Sequence, residues 1–378
     1  MGCLSWKYQV LCLLSFLFHS TPSALSSSLS SISPCSALLH FNHSLTLDSP
    51  ASSPLDTPAY YSDIYRSNIH MCDNSYPKTA SWKEDKDCCT WDGVVCDQTT
   101  RHVVGLDLSC SWLRGPIHSN NTLFFLPHLR TLNLAGNCFN YSSISSEFGN
   151  FKTLIHLNLS YSCFSGKIPY KISHLSSLLS LDLSYNYGLL IETPEWKRVI
   201  HNLTQLRELL LDDTNMSSII PNSLMNLSSS FTTLSLHNCS LQGKLQNNIL
   251  CLPGIQTLDL GGNDNLDLGS LPECNWSNSS LKFLDLAKTS FSGELPDSIG
   301  NLKSLKHLNL RFCNFIGSIP TSLGNLTKLT SLDMSFNNFS GEIQLSLLNF
   351  SCFWHTHELT ICFNYWGIFQ QVCCRCHY

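Results

Sequence analysis

The stretch Leu305-Lys-His-Leu-Asn-Leu-Arg-Phe-Cys-Asn-Phe-Ile-Gly-Ser-Ile-Pro320 returns 24 residues later as Leu329-Thr-Ser-Leu-Asp-Met-Ser-Phe-Asn-Asn-Phe-Ser-Gly-Glu-Ile-Gln344. Within the first copy, Leu308-Asn-Leu310 alternates apolar and polar residues, the pattern of a short strand with leucines inward and their neighbours in solvent. Working outward, the first leucine of each such pair is Leu106, Leu132, Leu157, Leu181, Leu209, Leu234, Leu258, Leu284, Leu308 and Leu332. Successive spacings run from 24 to 28 residues. Self-similarity at this period signals a solenoid, in which each coil buries its leucines against the next.

A second column sharpens the reading. Three residues past each leucine pair, where the chain must turn off the strand, stand Ser111, Asn137, Ser162, Asn186, Thr214, Cys239, Asn263, Thr289, Cys313 and Asn337. All are small and all can hydrogen-bond, the thiols weakly. A buried polar side chain there can satisfy backbone groups of adjoining coils. Several repeats continue into Gly-x-Ile-Pro, as at Gly166–Pro169 and Gly317–Pro320, where glycine permits a tight turn and proline fixes φ. The expected fold is an α/β repeat solenoid: a leucine-rich repeat horseshoe whose concave face is a parallel β-sheet.

Composition agrees with an ordered chain. Of 378 residues, 43% are hydrophobic and 13% charged, against roughly 25% charged in an average soluble domain, which excludes extensive disorder. The net charge of −5 and the lack of a basic run argue against a nucleic-acid or anionic-membrane surface. Lys7, the apolar run from Val10 to Phe18 and small residues near Ala24 and Ser26 read as a secretory signal over 1–26. No later apolar stretch reaches the 18 residues of a membrane-span candidate. The remaining organisation reads as an N-terminal cap over 27–100, ten repeats over 101–344 and a Cys/aromatic tail over 345–378.

Thirteen of the 30 asparagines lie in N-x-S/T sequons: Asn42, Asn120, Asn140, Asn158, Asn202, Asn215, Asn226, Asn238, Asn275, Asn278, Asn325, Asn338 and Asn349. That is roughly twice what chance would place there, and it points to a glycosylated protein of the secretory pathway. Nineteen cysteines are compatible with the same oxidising route.

Before the array stands Cys88-Cys89-Thr-Trp91-Asp-Gly93-Val-Val-Cys96. Together with the Gly-x-Ile-Pro form, it resembles the disulfide-bonded N-terminal cap of plant extracellular leucine-rich repeat proteins. Ser81-Trp82 and the segment from Glu192 to Arg207 are similar to plant receptor-like proteins that include disease-resistance receptors. The resemblance covers about residues 72–343. It implies a Cys89–Cys96 bond, with Cys88 joined to Cys35 or Cys72. It also implies, for full-length relatives, more repeats, one membrane span and signalling through partner receptor kinases. Here the motif stops at Gln344, so the tail reads as a truncation, and the last coil (Leu329, Leu332, Met334, Phe339, Ile343) is expected to lie partly open. Phe350, Phe353 and Trp354 are its candidate covers.

No metal site, cofactor or catalytic constellation emerges from the motifs; the Leu-Asp-Leu aspartates Asp107, Asp182, Asp259, Asp285 and Asp333 read as a row of solvated strand positions. What remains is a concave surface of ten strands, about 4.8 Å apart and so roughly 45 Å long. Glu208, Asp212 and Asp213 form a candidate acidic patch on it. Lys282, Lys288, Lys306, His307 and Arg311 form a basic one, with Tyr161, Tyr185, His237, Phe283, Phe312 and Phe336 as further ligand contacts. The expectation is non-catalytic recognition of an extracellular peptide, glycan or pathogen protein, in defence or development. The alternatives are a soluble inhibitor of a cell-wall-degrading enzyme and a truncated product without function. From the sequons, the chain secreted by plant or insect cells should lose the mass of several glycans on enzymatic deglycosylation; an unchanged gel mobility would contradict the secretory reading.

Overall fold

The computed structural model describes residues 32–48, 72–227, 230–252, 254–267, 269–272, 276–340, 360–364 and 371–375. The expected signal segment and the candidate covers Phe350, Phe353 and Trp354 lie outside them. Ten short parallel strands, from Val103–Asp107 to Ser331–Asp333, form one continuous ladder in chain order. Their register sets the first leucine of each repeat opposite the first leucine of the next, as in Leu181↔Leu209 and Leu209↔Leu234. Both leucines of a pair point away from the concave surface and are buried, Leu181 and Leu183 among them. A single hydrophobic core therefore runs the length of the solenoid.

Opposite the ladder, 3-10 turns such as Tyr170–His174 and Thr321–Asn325 carry the chain back. A period of about 24 residues leaves room for little more than a turn. The exception is the longest spacing, 28 residues between Leu181 and Leu209, which accommodates the α-helix Thr193–Asn202 with a proline in its first turn. Its Trp196 is fully buried and donates its indole N–H to Ser223 Oγ at 2.8 Å.

The cap closes the first coil. Helix Pro34–His43 begins at Ser33, whose Oγ accepts the Ser36 N–H at 3.1 Å, and it buries Ala37, Leu38 and Phe41. Cys35 bonds Cys88 and Cys89 bonds Cys96. Cys72, the other candidate for Cys88, instead bonds Cys110 of the first repeat. A further bridge, Cys138–Cys163, joins repeats two and three and had no signature in the sequence. Gly93 has φ +79°, and a Cβ there would lie 2.2 Å from the Asp107 carbonyl oxygen, so the turn that brings Val94–Cys96 antiparallel to the first repeat strand requires glycine.

Between repeats, the polar column does what its residue types suggest. Asn186 Oδ1 accepts the N–H groups of Ser162 and Phe164, both at 3.0 Å, and Nδ2 donates to the carbonyls of Leu159 at 2.7 Å and Leu183 at 2.9 Å. Asn137, Asn263 and Asn337 also donate to the preceding repeat and to their own. Ser162, Cys239 and Cys313 reach back with a single donor, to Leu134, Leu211 and Leu286. Thr214 and Thr289 do not: the Thr214 hydroxyl is buried without a partner, and Thr289 donates to Leu286 of its own repeat.

The C-terminal end departs from expectation. Leu329, Leu332 and Met334 are buried rather than open, Phe339 is half-buried in keeping with the expectation, and Ile343 lies outside the described residues. Strand Thr360–Asn364 adds in parallel to Ser331–Asp333, and Gln371–Arg375 pairs antiparallel beyond it, so backbone continues the sheet past the last recognisable motif. No helix among the described residues is long and apolar enough to cross a membrane.

Removing one ladder amide strands several buried partners at once. Asn186→Ala should lower the unfolding free energy by about 3 kcal/mol, whereas Asn338→Ala, at an exposed position, should cost under about 0.5 kcal/mol. Denaturant melts of the two variants would check this; equal losses would deny the column its structural role.

Candidate functional site

On the concave floor, the residue between the two leucines is Asp or Asn in eight repeats, the exceptions being Leu210 and Ser235. Each of these carboxylates or amides accepts the backbone N–H two residues on, from 2.8 Å at Asp259 to 3.1 Å at Asn133 and Asn309. These turns hold the chain as it leaves the strand. The Leu-Asp-Leu aspartates are therefore not a solvated row: Asp285 is buried and Asp182 half-buried.

Where the pattern lapses, Asp212 takes over. It stands just past the leucine pair of repeat five, and it is buried at 6% exposure rather than presented to a ligand. Its Oδ1 accepts from Ser235 Oγ at 2.6 Å and from the His237 N–H at 2.9 Å, supplying from the preceding repeat the acceptor that Ser235 lacks. His237 is half-buried, with Nδ1 3.2 Å from Asp259 Oδ1. Of the three acidic residues expected here, Glu208 is exposed and Asp213 half-buried.

The second residue past each leucine pair forms the rim where the strands end. Its ten occupants all have positive φ, from 50° at Cys110 to 71° at Gly262. Tyr161, Tyr185, Phe312 and Phe336 belong to this rim, not to the floor. They stand in two stacked pairs, with ring centroids 4.3 Å apart for the tyrosines and 4.1 Å for the phenylalanines. The Arg311 guanidinium lies 4.8 Å from the centroids of both Phe312 and Phe336, and 3.6 Å from Asp333. Of the remaining expected contacts, Phe283 stacks on His307 at 4.3 Å on the floor. Lys282, Lys288 and Lys306 are exposed, Lys282 donating to Gln256 Oε1 at 2.8 Å.

The floor also holds a depression of about 360 Å³ across repeats two to five, lined by Thr131, Asn133, His156, Asn158, Ser180, Asp182 and Glu208 around Leu210. Of this group only Glu208 was a candidate ligand contact in the sequence; Asp182 was read there as a solvated strand position and Asn158 as a glycosylation site. The missed signal was the run of small polar residues flanking each first leucine.

Comparison with known proteins bears on this surface. A family model described as leucine rich repeat N-terminal domain matches residues 66–97, and leucine-rich-repeat models match 125–146, 280–302, 304–326 and 325–347. Receptor-like protein 6 of Arabidopsis thaliana is 44% identical over 225 residues, 58% of this chain and 22% of its own length. Receptor-like protein 9DC1 of Solanum pimpinellifolium is 40% identical over 280 residues, 74% of this chain and 31% of its own. Receptor-like protein Cf-9 of the same species is 39% identical over 260 residues, 68% of this chain and 29% of its own. The chain thus spans less than a third of the length of these relatives. Among solved structures, a TDR receptor gives a TM-score of 0.57 at 30% identity, covering 74% of this chain and 46% of that one. A plant peptide hormone receptor, RGFR1 in complex with RGF2, gives 0.52 at 26% identity, covering 73% and 52%.

Burial at repeat five makes stability depend on pH. Desolvation pushes the Asp212 carboxyl up to about 6 from 3.8, and burial raises Asp213 and Asp182 as well. His237 is raised by its bond to Asp259. Folding therefore takes up protons between 3.8 and about 6 at Asp212, so that part of the stability is lost as pH rises through this window. His237 adds a loss in the same direction, above its ordinary value. Asp212→Asn, which keeps an acceptor oxygen, should flatten the fall between pH 4.5 and 6.5 by about 2 kcal/mol. Denaturation curves at stepped pH would read this; superimposable profiles for both proteins would refute it.

Proposed function

We propose, from the premise that this chain belongs to the plant leucine-rich repeat receptor-like proteins, that it recognises an extracellular ligand on its concave face without catalysis. One observation carries the reading: where the sequons fall. Nine of those among the described residues are exposed and lie off the ten-stranded ladder, for example Asn120, Asn202, Asn226, Asn278 and Asn325. Among the described sequons only Asn158 sits in a ladder strand. Glycans at the other exposed sites would lie off the inner sheet, with Asn238 standing on the rim where its strands end, and would leave most of the sheet floor bare. That sheet varies freely at its exposed positions while its leucines and ladder residues hold the fold, which is how solenoids acquire binding faces.

The ligand class is a peptide, glycan or protein from outside the cell, with defence or development as the setting. The peptide option draws support from the fold shared with the peptide-bound RGFR1 structure. Signalling would pass to partner receptor kinases, and the chain itself would act in the extracellular space or at the plasma membrane. The soluble-inhibitor alternative has no comparable observation in its favour.

A glycan wedge tests the face. Thr233→Asn creates a new sequon over residues 233–235 in the middle of the floor, because Ser235 is already in place. Against a panel of extracellular plant and microbial peptides, the glycosylated variant should lose binding at least tenfold. Lys244→Glu, on an exposed strand outside the ladder, should leave binding unchanged. Equal effects at both places would overturn the concave-face reading.

A further inference from the structure

The rim sets residue types against backbone preference. Positive φ is cheap for glycine, tolerable for Asn and Asp, and costs a bulky side chain about 1–2 kcal/mol. Gly136, Gly262, Asn238 and Asp213 fit that preference. Tyr161, Tyr185, Lys288, Phe312 and Phe336 do not. Each could be exchanged for Asn or Gly with relief of backbone strain, so their retention asks for another reason. Stacking within the aromatic pairs offsets part of the cost, at about 0.5–1.5 kcal/mol per pair. It gives nothing to Lys288, which is exposed, and it leaves Phe312 with 41% of its surface in solvent.

The order along the rim is also regular. From repeat three to repeat ten it runs tyrosine pair, carboxylate, two repeats with Asn238 and Gly262, ammonium, phenylalanine pair. The charges around each end reinforce the pattern. Asp213 accepts from Asn238 Nδ2 at 2.5 Å and keeps its second carboxylate oxygen for a ligand; around it stand the exposed Glu208 and the buried Asp212, with Arg207 and the half-buried His237 as the nearby basic groups. Beside Lys288 stand Lys282, Lys306 and Arg311. The carboxylates opposing them are occupied: Asp285 is buried and bonded to Asn309 at 2.8 Å, and Asp333 faces Arg311. Three repeat spacings separate Asp213 from Lys288, about 14 Å, which an extended chain covers in about four residues.

We propose that this rim takes one extended peptide segment bearing a basic residue over Asp213 and an acidic residue about four positions away over Lys288. Small residues lie between the two, and an apolar residue outside each charge packs on the aromatic pairs. The inference rests on the ligand-recognition reading and specifies its ligand. Fixed opposite charges at matched spacing give register and selectivity more than raw affinity, while the aromatic pairs supply apolar contact area.

The test uses the secreted chain with and without Asn238→Gln, since the Asn238 sequon stands mid-rim and a glycan there would lie across the segment. The probe is an end-blocked heptapeptide: leucine, lysine, serine, glycine, serine, glutamate, leucine. Its control is the isomer of equal composition with lysine and glutamate adjacent. Titration should show the spaced peptide binding Asn238→Gln protein at least tenfold more tightly than the isomer. Asp213→Lys should abolish that preference, and a peptide with glutamate in place of lysine should restore binding to the variant. Circular dichroism confirms that each variant is folded. Equal affinities for the two isomers, no binding by either, or an Asp213→Lys variant indistinguishable from its parent would each overturn the proposal. Cross-linking of the spaced peptide to floor residues alone would also overturn it, while leaving the concave-face reading intact; only the glycan wedge at residue 233 addresses that reading.

Discussion

A coil of two dozen residues with a three-residue strand cannot satisfy its own backbone. Its carbonyls and amides near the strand exit are buried by the neighbouring coils, where water cannot reach them. The side chain three residues past the leucine pair answers this constraint, and everything else is arranged around it. Asn is best suited, because one amide supplies both donors and an acceptor, as Asn186 does. Ser and Cys supply one donor, enough to hold a single carbonyl of the coil before. Cys239 and Cys313 are thus structural thiols: burial pushes the first far above its ordinary range and the second up to about 11, which keeps them protonated and inert.

Much of this was legible before any coordinates. Leucine spacing and the polar column together specified parallel strands in register, because the same two positions recur in every repeat. The cap followed from Cys88-Cys89 and Cys96. What escaped were pairings and burial decided by three-dimensional proximity. Cys72 could not be assigned to Cys110, nor Cys138 to Cys163, since spacing alone does not fix a disulfide partner. Asp212 looked like a surface acid because it follows the strand. Its burial depends on Ser235 of the next repeat being too short to serve as the turn acceptor, a relation between coils that a linear reading does not display.

The candidate surface divides in the same way. Glu208, Lys282 and Lys306 were visible as exposed charges. The tyrosines and phenylalanines were visible as aromatics, but their place on the rim came from the positive φ shared by all ten rim residues. The depression over repeats two to five was hidden because its lining is made of small polar residues such as Thr131, Asn133 and Ser180. Such residues are unremarkable singly and acquire a shape only when the strands are laid side by side.

Thr214 and Thr289 carry one more consequence. Every other column residue from Asn137 onward sends a donor back to the coil before it, so repeats one to four, five to seven and eight to ten are each stitched internally by side chains. At the two threonines that stitch is missing, and the side-chain bonds between those coils come from elsewhere, such as Trp196 to Ser223 at the first joint, and Lys282 to Gln256 and Ser290 to the Asp264 carbonyl at the second. Mechanically, the column by itself divides the solenoid into three blocks in series, and at the two joints its own contribution to resisting bending or twisting is absent. The acidic repeat begins the middle block and the first basic repeat begins the last. Flexing at the second joint therefore changes the distance between the opposite charges on the inner face while hardly disturbing the packing within either block.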